Sequence, residues 1–326
     1  MEVAIVGPGW VAAIHRQAIQ ESGCGRVVAA VGGSPERAGT TAAAWGVPWY
    51  QDVGALLAGG QAVEAAWVCS PTPAHLAQAE ALIAAGIHVV LEKPPVVSVT
   101  ECRGLQRLAD AHGTVVLPVH NERYRPVVEA AERFVAEGGL GQVVGGVLLA
   151  SGPPPAELMG GWRKELARPA GGAMADSGYH SLYLALRLLG RPRSVWGHGR
   201  RVLWDLRAED TAHLTLLYAD GTAVDVVQSW AGQTGTGVPR MVLWGTEATL
   251  TLVDGTLRQG DAIVAEDAGV NPFQVLAQRF AQLIAGRSAA VDDLGRAREV
   301  LAISQAYARS CVSQAAEPID FGDNPA

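Results

Sequence analysis

At 326 residues the chain is long for one domain, so two are expected. Its 49% hydrophobic and 17% charged residues describe a globular protein with ample core, and no apolar run approaches the length that spans a bilayer. A formal charge of −7 with no basic run argues against a nucleic-acid partner, because successive phosphates would go unneutralised.

The chain opens with "MEVAIVGPGW", which enters a strand directly with no basic segment before it, so a cytoplasmic location is expected. Cys24, Cys69, Cys102 and Cys311 are far apart and lack metal-ligand spacing, so no metal site is expected.

The first third alternates short β-rich runs with helical patterns, the mark of a parallel sheet covered on both faces. Val3–Gly7 reads as a buried strand and Trp10–Glu21 as a helix. Arg26–Val31 is a second strand and Pro35–Trp45 the next helix. Glu64–Ser70 is another strand, followed by a helix that Thr72 would cap, with Pro73 at its first position. "HVVLE" (His88–Glu92) comes next, then a helix over Ser98–His112 and a strand over Thr114–His120.

After about residue 120 the pattern changes. A helix over Pro126–Glu137 precedes a long extended segment, Gln142–Ser151, and an ordered loop rich in proline and glycine, Gly152–Gly172. Asp176–Leu189 has helical spacing that Gly190 ends. From Ser194 to about Glu266, strand-like runs alternate with turn signals such as Asp220-Gly221, which predicts a largely antiparallel sheet. Two helices close the chain, Asn271–Ala285 and about Asp292–Gln314.

The junction of the first strand and helix reads Gly7-Pro8-Gly9-Trp10-Val11-Ala12, a G-x-G-x-x-A. Gly7 permits the sharp turn and Gly9 a close backbone approach to a pyrophosphate. Ala12 allows tight helix–strand packing, while the helix N-terminus, with Trp10 and Val11, offers N–H groups to the anion. At the end of the second strand, an NAD site places an acid against the ribose hydroxyls. Here "VGGSPERA" puts Gly32, Gly33 and Ser34 in that corner with Arg37 one turn on. Ser34 and Arg37 could bind a 2′-phosphate, so NADP(H) is favoured over NAD(H).

Several stretches together resemble the Gfo/Idh/MocA oxidoreductases (glucose-fructose oxidoreductase, inositol dehydrogenase and rhizopine catabolism proteins). They are "GPGWVAAIHRQAI", "CSPTPAHLAQAEALIAAGIHVVLEKP", "HNERYRP", "GGAMADSGYH" and the closing helices. The Glu92-Lys93-Pro94 triplet followed by D-x-x-x-H at Asp176 and His180 is the most specific part. The resemblance implies an N-terminal Rossmann dinucleotide-binding domain over 1–120. It implies a C-terminal α/β domain over 121–326, with a large, mainly antiparallel open sheet that binds substrate and joins a homodimer or homotetramer. It also implies redox chemistry on sugars, cyclitols or related polyols, with Lys93, Asp176 and His180 as catalytic residues.

Beside that match, Ser70, Pro71, His75, Glu92 and Lys93 are assigned to the cofactor, and Tyr124, Trp162 and Arg163 to the substrate with Lys93, Asp176 and His180, although Trp162 and Arg163 lie in a loop with Pro153–Pro155 that departs from the family. The match departs also at Tyr183, where the family often has an acid. Chemically, the cofactor carries the hydride and the protein must move the proton. His180 suits that task because imidazole titrates near neutrality, and Asp176, four residues earlier on an expected helix, would share its face. Lys93 follows a parallel strand, on the edge where open α/β sheets bind ligands, and can donate to the substrate oxygen. Two alternatives stand beside a sugar dehydrogenase: a reductase of a non-sugar carbonyl or imine in secondary metabolism, and a cofactor-bound sensor without turnover. Nine tryptophans motivate the first, since tryptophans stack on sugars but also line apolar pockets.

Overall fold

The computed structural model describes residues 1–233, 235–287 and 292–322. The chain forms two compact units: Met1–Asn121 with Asn271–Ala297, and Glu122–Val270 with Arg298–Ala326.

The first unit alternates strand and helix. Its elements are β1 (Glu2–Val6), α1 (Trp10–Ser22), β2 (Arg26–Val31), α2 (Pro35–Trp45), β3 (Trp49–Tyr50) and α3 (Val53–Ala58). They continue with β4 (Ala65–Val68), α4 (Thr72–Ala84), β5 (His88–Leu91), α5 (Val99–His112) and β6 (Val116–Pro118). The strands order β3-β2-β1-β4-β5-β6 and every pairing is parallel. Sequence order runs outward in both directions from the β1/β4 boundary, which makes that boundary the topological switch point. The strands are apolar almost throughout because both faces are covered; β4 is buried at all four residues.

The elements expected from the sequence are present here, with two differences. β3 and α3 went unforeseen, since a two-residue strand carries no readable period; Asp52 caps α3 by accepting the Ala55 N–H at 2.8 Å. Pro71, not Thr72, flanks α4, and Thr72 is already inside the helix and buried.

The second unit holds α6 (Pro126–Ala136), β7 (Val143–Ser151), α7 (Trp162–Glu165), α8 (Ala173–Asp176), α9 (Gly178–Leu189), β8 (Ser194–Arg200) and β9 (Thr211–Leu217). Then come β10 (Ala223–Ser229), β11 (Met241–Gly245), β12 (Thr249–Val253), β13 (Thr256–Gln259) and β14 (Ala262–Glu266). β15 (Glu317–Pro318) adds an edge to a nine-stranded sheet ordered β14-β13-β12-β11-β7-β10-β9-β8-β15. All its pairings are antiparallel except β7 with β10. The Asp220-Gly221 signal does turn β9 into β10, with Gly221 at φ +92°.

Alternation fixes which face is inside. Leu214, Leu216, Val224, Val226 and Leu243 pack in one core with Tyr179, Leu182 and Leu186 of α9 and with Val127 of α6. Trp196 and Trp244 are exposed residues of β8 and β11.

After β14 the chain does not stay with the second unit, as a division at residue 120 would have it. Asn271–Ala297 groups with the first. Asn271 caps α10 (Pro272–Ile284) through its side chain, as the sequence suggested, and α10 buries Leu276, Ala277 and Phe280. Phe280 meets Trp67 of β4 edge-on, with ring centres 5.1 Å apart. Among the described residues no helix is long and apolar enough to cross a membrane, and no cluster of His, Cys, Asp or Glu could hold a metal ion.

Candidate active site

In the first unit, Gly7, Ser34, Ser70 and Lys93 all lie just past the carboxyl ends of parallel strands, those of β1, β2, β4 and β5. Gly7 has φ +80°, and a Cβ there would sit 2.5 Å from the Ser70 backbone N, so only glycine fits across the switch point. Gly9 flanks α1 with no side-chain cap, and the first turn of α1 has no acid. Its leading N–H groups therefore face outward with the positive end of the helix, an arrangement that suits a pyrophosphate. Trp10 is exposed there and Val11 half-buried, while Ala12 is fully buried, as tight packing requires.

The corner after β2 is built from Gly32 and Gly33, both at positive φ, and is pinned by the Trp49 Nε1 donation to the Gly32 carbonyl at 3.0 Å. Ser34 and Arg37 are exposed, and the Ser34 side chain makes no capping bond. Glu36 stands exposed in the same first turn of α2, an acid the sequence reading passed over.

Glu92 and His75 hold this edge from beneath. Glu92 Oε1 lies 2.8 Å from Nε2 of buried His15 on α1, and Oε2 accepts the Lys93 N–H at 3.0 Å. Burial pushes the Glu92 carboxyl up, but the His15 hydrogen bond and the His15 and Lys93 charges more than offset it. It titrates below its ordinary value. A carboxylate only accepts, so His15 Nε2 carries the hydrogen.

His75 is 1% exposed, with Nε2 at 2.7 Å from the Ser70 carbonyl and Nδ1 at 3.0 Å from the Pro94 carbonyl. Both ring nitrogens are engaged by backbone, so His75 ties the Ser70 loop to the chain after Lys93. Burial lowers its pKa although both carbonyls favour the charged form. Ser70 Oγ bonds the Gln78 side chain, Pro71 is exposed, and Lys93 is half-buried.

In the second unit the expected single helix over Asp176–Leu189 is broken. α8 ends at Asp176, and α9 begins at Gly178 after Ser177 at φ −79°, ψ −37°. The backbone ladder tightens there: Ser177 N reaches back four residues to Ala173, while His180 N reaches back only three, to Ser177.

Asp176 is buried and accepts from Arg163 Nε at 2.8 Å, while the Arg163 guanidinium lies 4.4 Å from the Trp162 ring centre. The segment expected as a loop over Gly152–Gly172 thus carries the short helix α7, whose Arg163 bridges Trp162 and Asp176. Tyr124 is buried with Arg123 over its ring at 5.2 Å. Tyr183, at the place of the family's acid, is buried in the core with its hydroxyl 3.5 Å from Arg187 Nη1.

The sequence reading missed the acidic neighbour of His180. Glu122 and Arg125 line the same small space as His180, and Arg125 Nη1 donates to Glu122 Oε2 at 2.6 Å. Burial raises the Glu122 carboxyl; the charges of His180, Arg125 and Arg240, with the Arg125 hydrogen bond, bring it below its ordinary value. Asp267 takes the other side of Arg125 through Nε at 2.8 Å. Both Glu122 and Arg125 stand inside "HNERYRP", which marked the segment without distinguishing its charges.

Comparison with known proteins bears on this geometry. The sequence profile described as "Oxidoreductase family, NAD-binding Rossmann fold" matches residues 1–120, and the "GFO/IDH/MocA C-terminal domain" matches residues 128–251. A protein of Amycolatopsis mediterranei (strain S699), provisionally named UDP-kanosamine synthase oxidoreductase subunit, is 31% identical over 273 residues, 77% of this chain and 75% of that one. The NADP(+)-dependent scyllo-inositol 2-dehydrogenase IolW of Bacillus subtilis (strain 168) is 30% identical over 163 residues. That match spans 50% of this chain and 45% of IolW, about half the length of each. Among solved structures, the WlbA dehydrogenase of Bordetella pertussis in complex with NADH and UDP-GlcNAcA superposes with a TM-score of 0.85. It is 21% identical, and the match covers 98% of both chains.

Proposed function

This chain belongs to the GFO/IDH/MocA family and is an NAD(P)-dependent oxidoreductase; on that premise we propose that it transfers a hydride between NADP(H) and a hydroxyl- or keto-bearing carbon of a sugar-like or cyclitol-like substrate. The observation that carries this reading is the shared edge of the first sheet. The uncapped glycine turn, the Ser34 corner and Lys93 all follow the carboxyl ends of parallel strands around one switch point. The inositol and nucleotide-sugar names of the relatives support the substrate class, and the NADP(+) of IolW supports the cofactor.

Bound, the dinucleotide supplies or accepts the hydride. The chain's own residues do the rest. Gly7, Gly9 and the N–H groups at Trp10 and Val11 grip the pyrophosphate, and Ser34 and Arg37 take the 2′-phosphate. Lys93 Nζ donates to the substrate oxygen and stabilises negative charge on it. In the oxidative direction the His180 imidazole would accept the O–H proton of the substrate. Asp176, held by Arg163, fixes a substrate hydroxyl. We place the protein in the cytoplasm as a homodimer or homotetramer, joined through the second sheet where Trp196 and Trp244 are exposed.

The test is a panel of polyols, cyclitols and keto sugars assayed with NADP+/NADPH and NAD+/NADH. Turnover with NADP(H) preferred, and NADPH affinity falling in Arg37→Ala with NADH affinity unchanged, is expected. Turnover confined to ketones or imines without neighbouring hydroxyls would replace the substrate class, and an Arg37→Ala variant with intact NADPH affinity would remove the cofactor argument.

A further inference from the structure

The second unit contains a cavity of about 360 Å³, at the small end of the ~300–1,000 Å³ usual for ligand pockets. It starts at Ser177, between Asp176 and α9, and runs along the carboxyl ends of the parallel pair β7 and β10. Prolines 153, 154 and 239 wall it in. Trp230 forms part of the lining, fixed by its indole N–H donating to Ser177 Oγ at 2.8 Å.

Gln228 and Arg240 are the two long polar side chains of the lining among the described residues. Gln228 on β10 is 3% exposed, and its Oε1 has no hydrogen-bond partner. That oxygen is closed off from solvent, so Gln228 belongs to the packed wall of the cavity. Arg240 is exposed and makes no ion pair among the described residues, whereas Arg125 and Arg163 are committed to Glu122, Asp267 and Asp176. Arg240 also borders the space beside His180. Among the described residues the cavity lining contains no carboxylate, and Arg240 is its one charged residue.

We propose that this cavity receives an anionic part of the substrate. Arg240 pairs with its carboxylate or phosphate. The inference rests on the hydride-transfer reading and narrows its substrate class to acidic or phosphorylated sugars and polyols. A guanidinium forms two parallel bonds with either anion, so both chemistries fit the same residue.

The test is calorimetric titration of the NADP+-loaded protein with a matched panel: uronates, sugar 1-phosphates and the neutral parent sugars. At least one acid or phosphate binds about tenfold or more tightly than its neutral parent, as a charge-assisted pair requires. The better of the two anions identifies the source. Arg240→Gln abolishes that preference, Arg240→Lys keeps part of it, and Lys93→Ala keeps it while losing turnover. Equal binding of neutral and anionic partners, binding by no panel member, or a preference that survives Arg240→Gln would overturn the inference. An intact preference without turnover in the native protein would instead defeat the hydride-transfer reading.

Discussion

The buried carboxylate of Glu92 faces His15 with one oxygen and the Lys93 N–H with the other, so a change at Glu92 reaches both the glycine-loop helix and Lys93. Glu92→Ala leaves His15 buried without its partner, and we expect denaturant unfolding to show a loss on the order of 3 kcal/mol. Glu92→Gln keeps one acceptor oxygen, enough for His15 or the Lys93 N–H but not for both, and costs less. If the two variants are equally stable, the bridge does not hold this edge.

The pH sign follows from the depressed carboxyl: its contribution is complete above the ordinary value of 4.5 and is lost as acidification passes the lower folded value. The G-x-G-x-x-A turn was legible because its chemistry is local and each glycine answers a local steric demand. The His15–Glu92 contact joins residues separated by 77 positions, and no local pattern announces it.

Among elements, α8 shows what a periodic pattern hides. The apolar spacing of Tyr179, Leu182 and Leu186 correctly marks α9, but it says nothing of α8, which is anchored from outside the helix. Gly172 has φ +98°, and a Cβ there would fall 2.5 Å from Glu209 Oε1. Glu209 also accepts the Ala173 N–H through its carbonyl at 2.9 Å and the Met174 N–H through Oε1 at 3.3 Å. Asp176 therefore stands on a short helix anchored by a buried acid that only the fold brings there.

Burial raises the Glu209 carboxyl to about 7, with Arg168 opposing that shift. The native state then binds a proton more tightly than the unfolded chain, so this residue's contribution is full below pH 4.5 and falls as pH rises towards about 7. The span is on the order of 3 kcal/mol. Thermal melts of Glu209→Gln should lack this slope while the native protein shows it, and parallel pH profiles would contradict the assignment. Gly172→Ala should destabilise more than Glu209→Gln, since it adds both strain and a clash.

At the scale of the molecule, the alternation of buried runs and helical patterns was enough to read a parallel sheet followed by a mainly antiparallel one. It could not show the return of Asn271–Ala297 to the first unit. An amphipathic helix such as α10 states which face it buries, through Leu276 and Phe280, but not against what. Nor could it show that β7 lies parallel to β10, because two strands separated by helices and by two further strands carry no turn signal to fix their direction.

The proposed reaction of this GFO/IDH/MocA oxidoreductase turns on Lys93 at the substrate oxygen. The most direct measurement is single-turnover formation of reduced nicotinamide by the NADP+-loaded native protein and by Lys93→Ala, using the best substrate of the panel and with NADP+ affinity measured in parallel. We predict a rate about 10²–10⁴-fold lower in Lys93→Ala with cofactor affinity nearly unchanged. Hydride transfer at the native rate in that variant would contradict the claim.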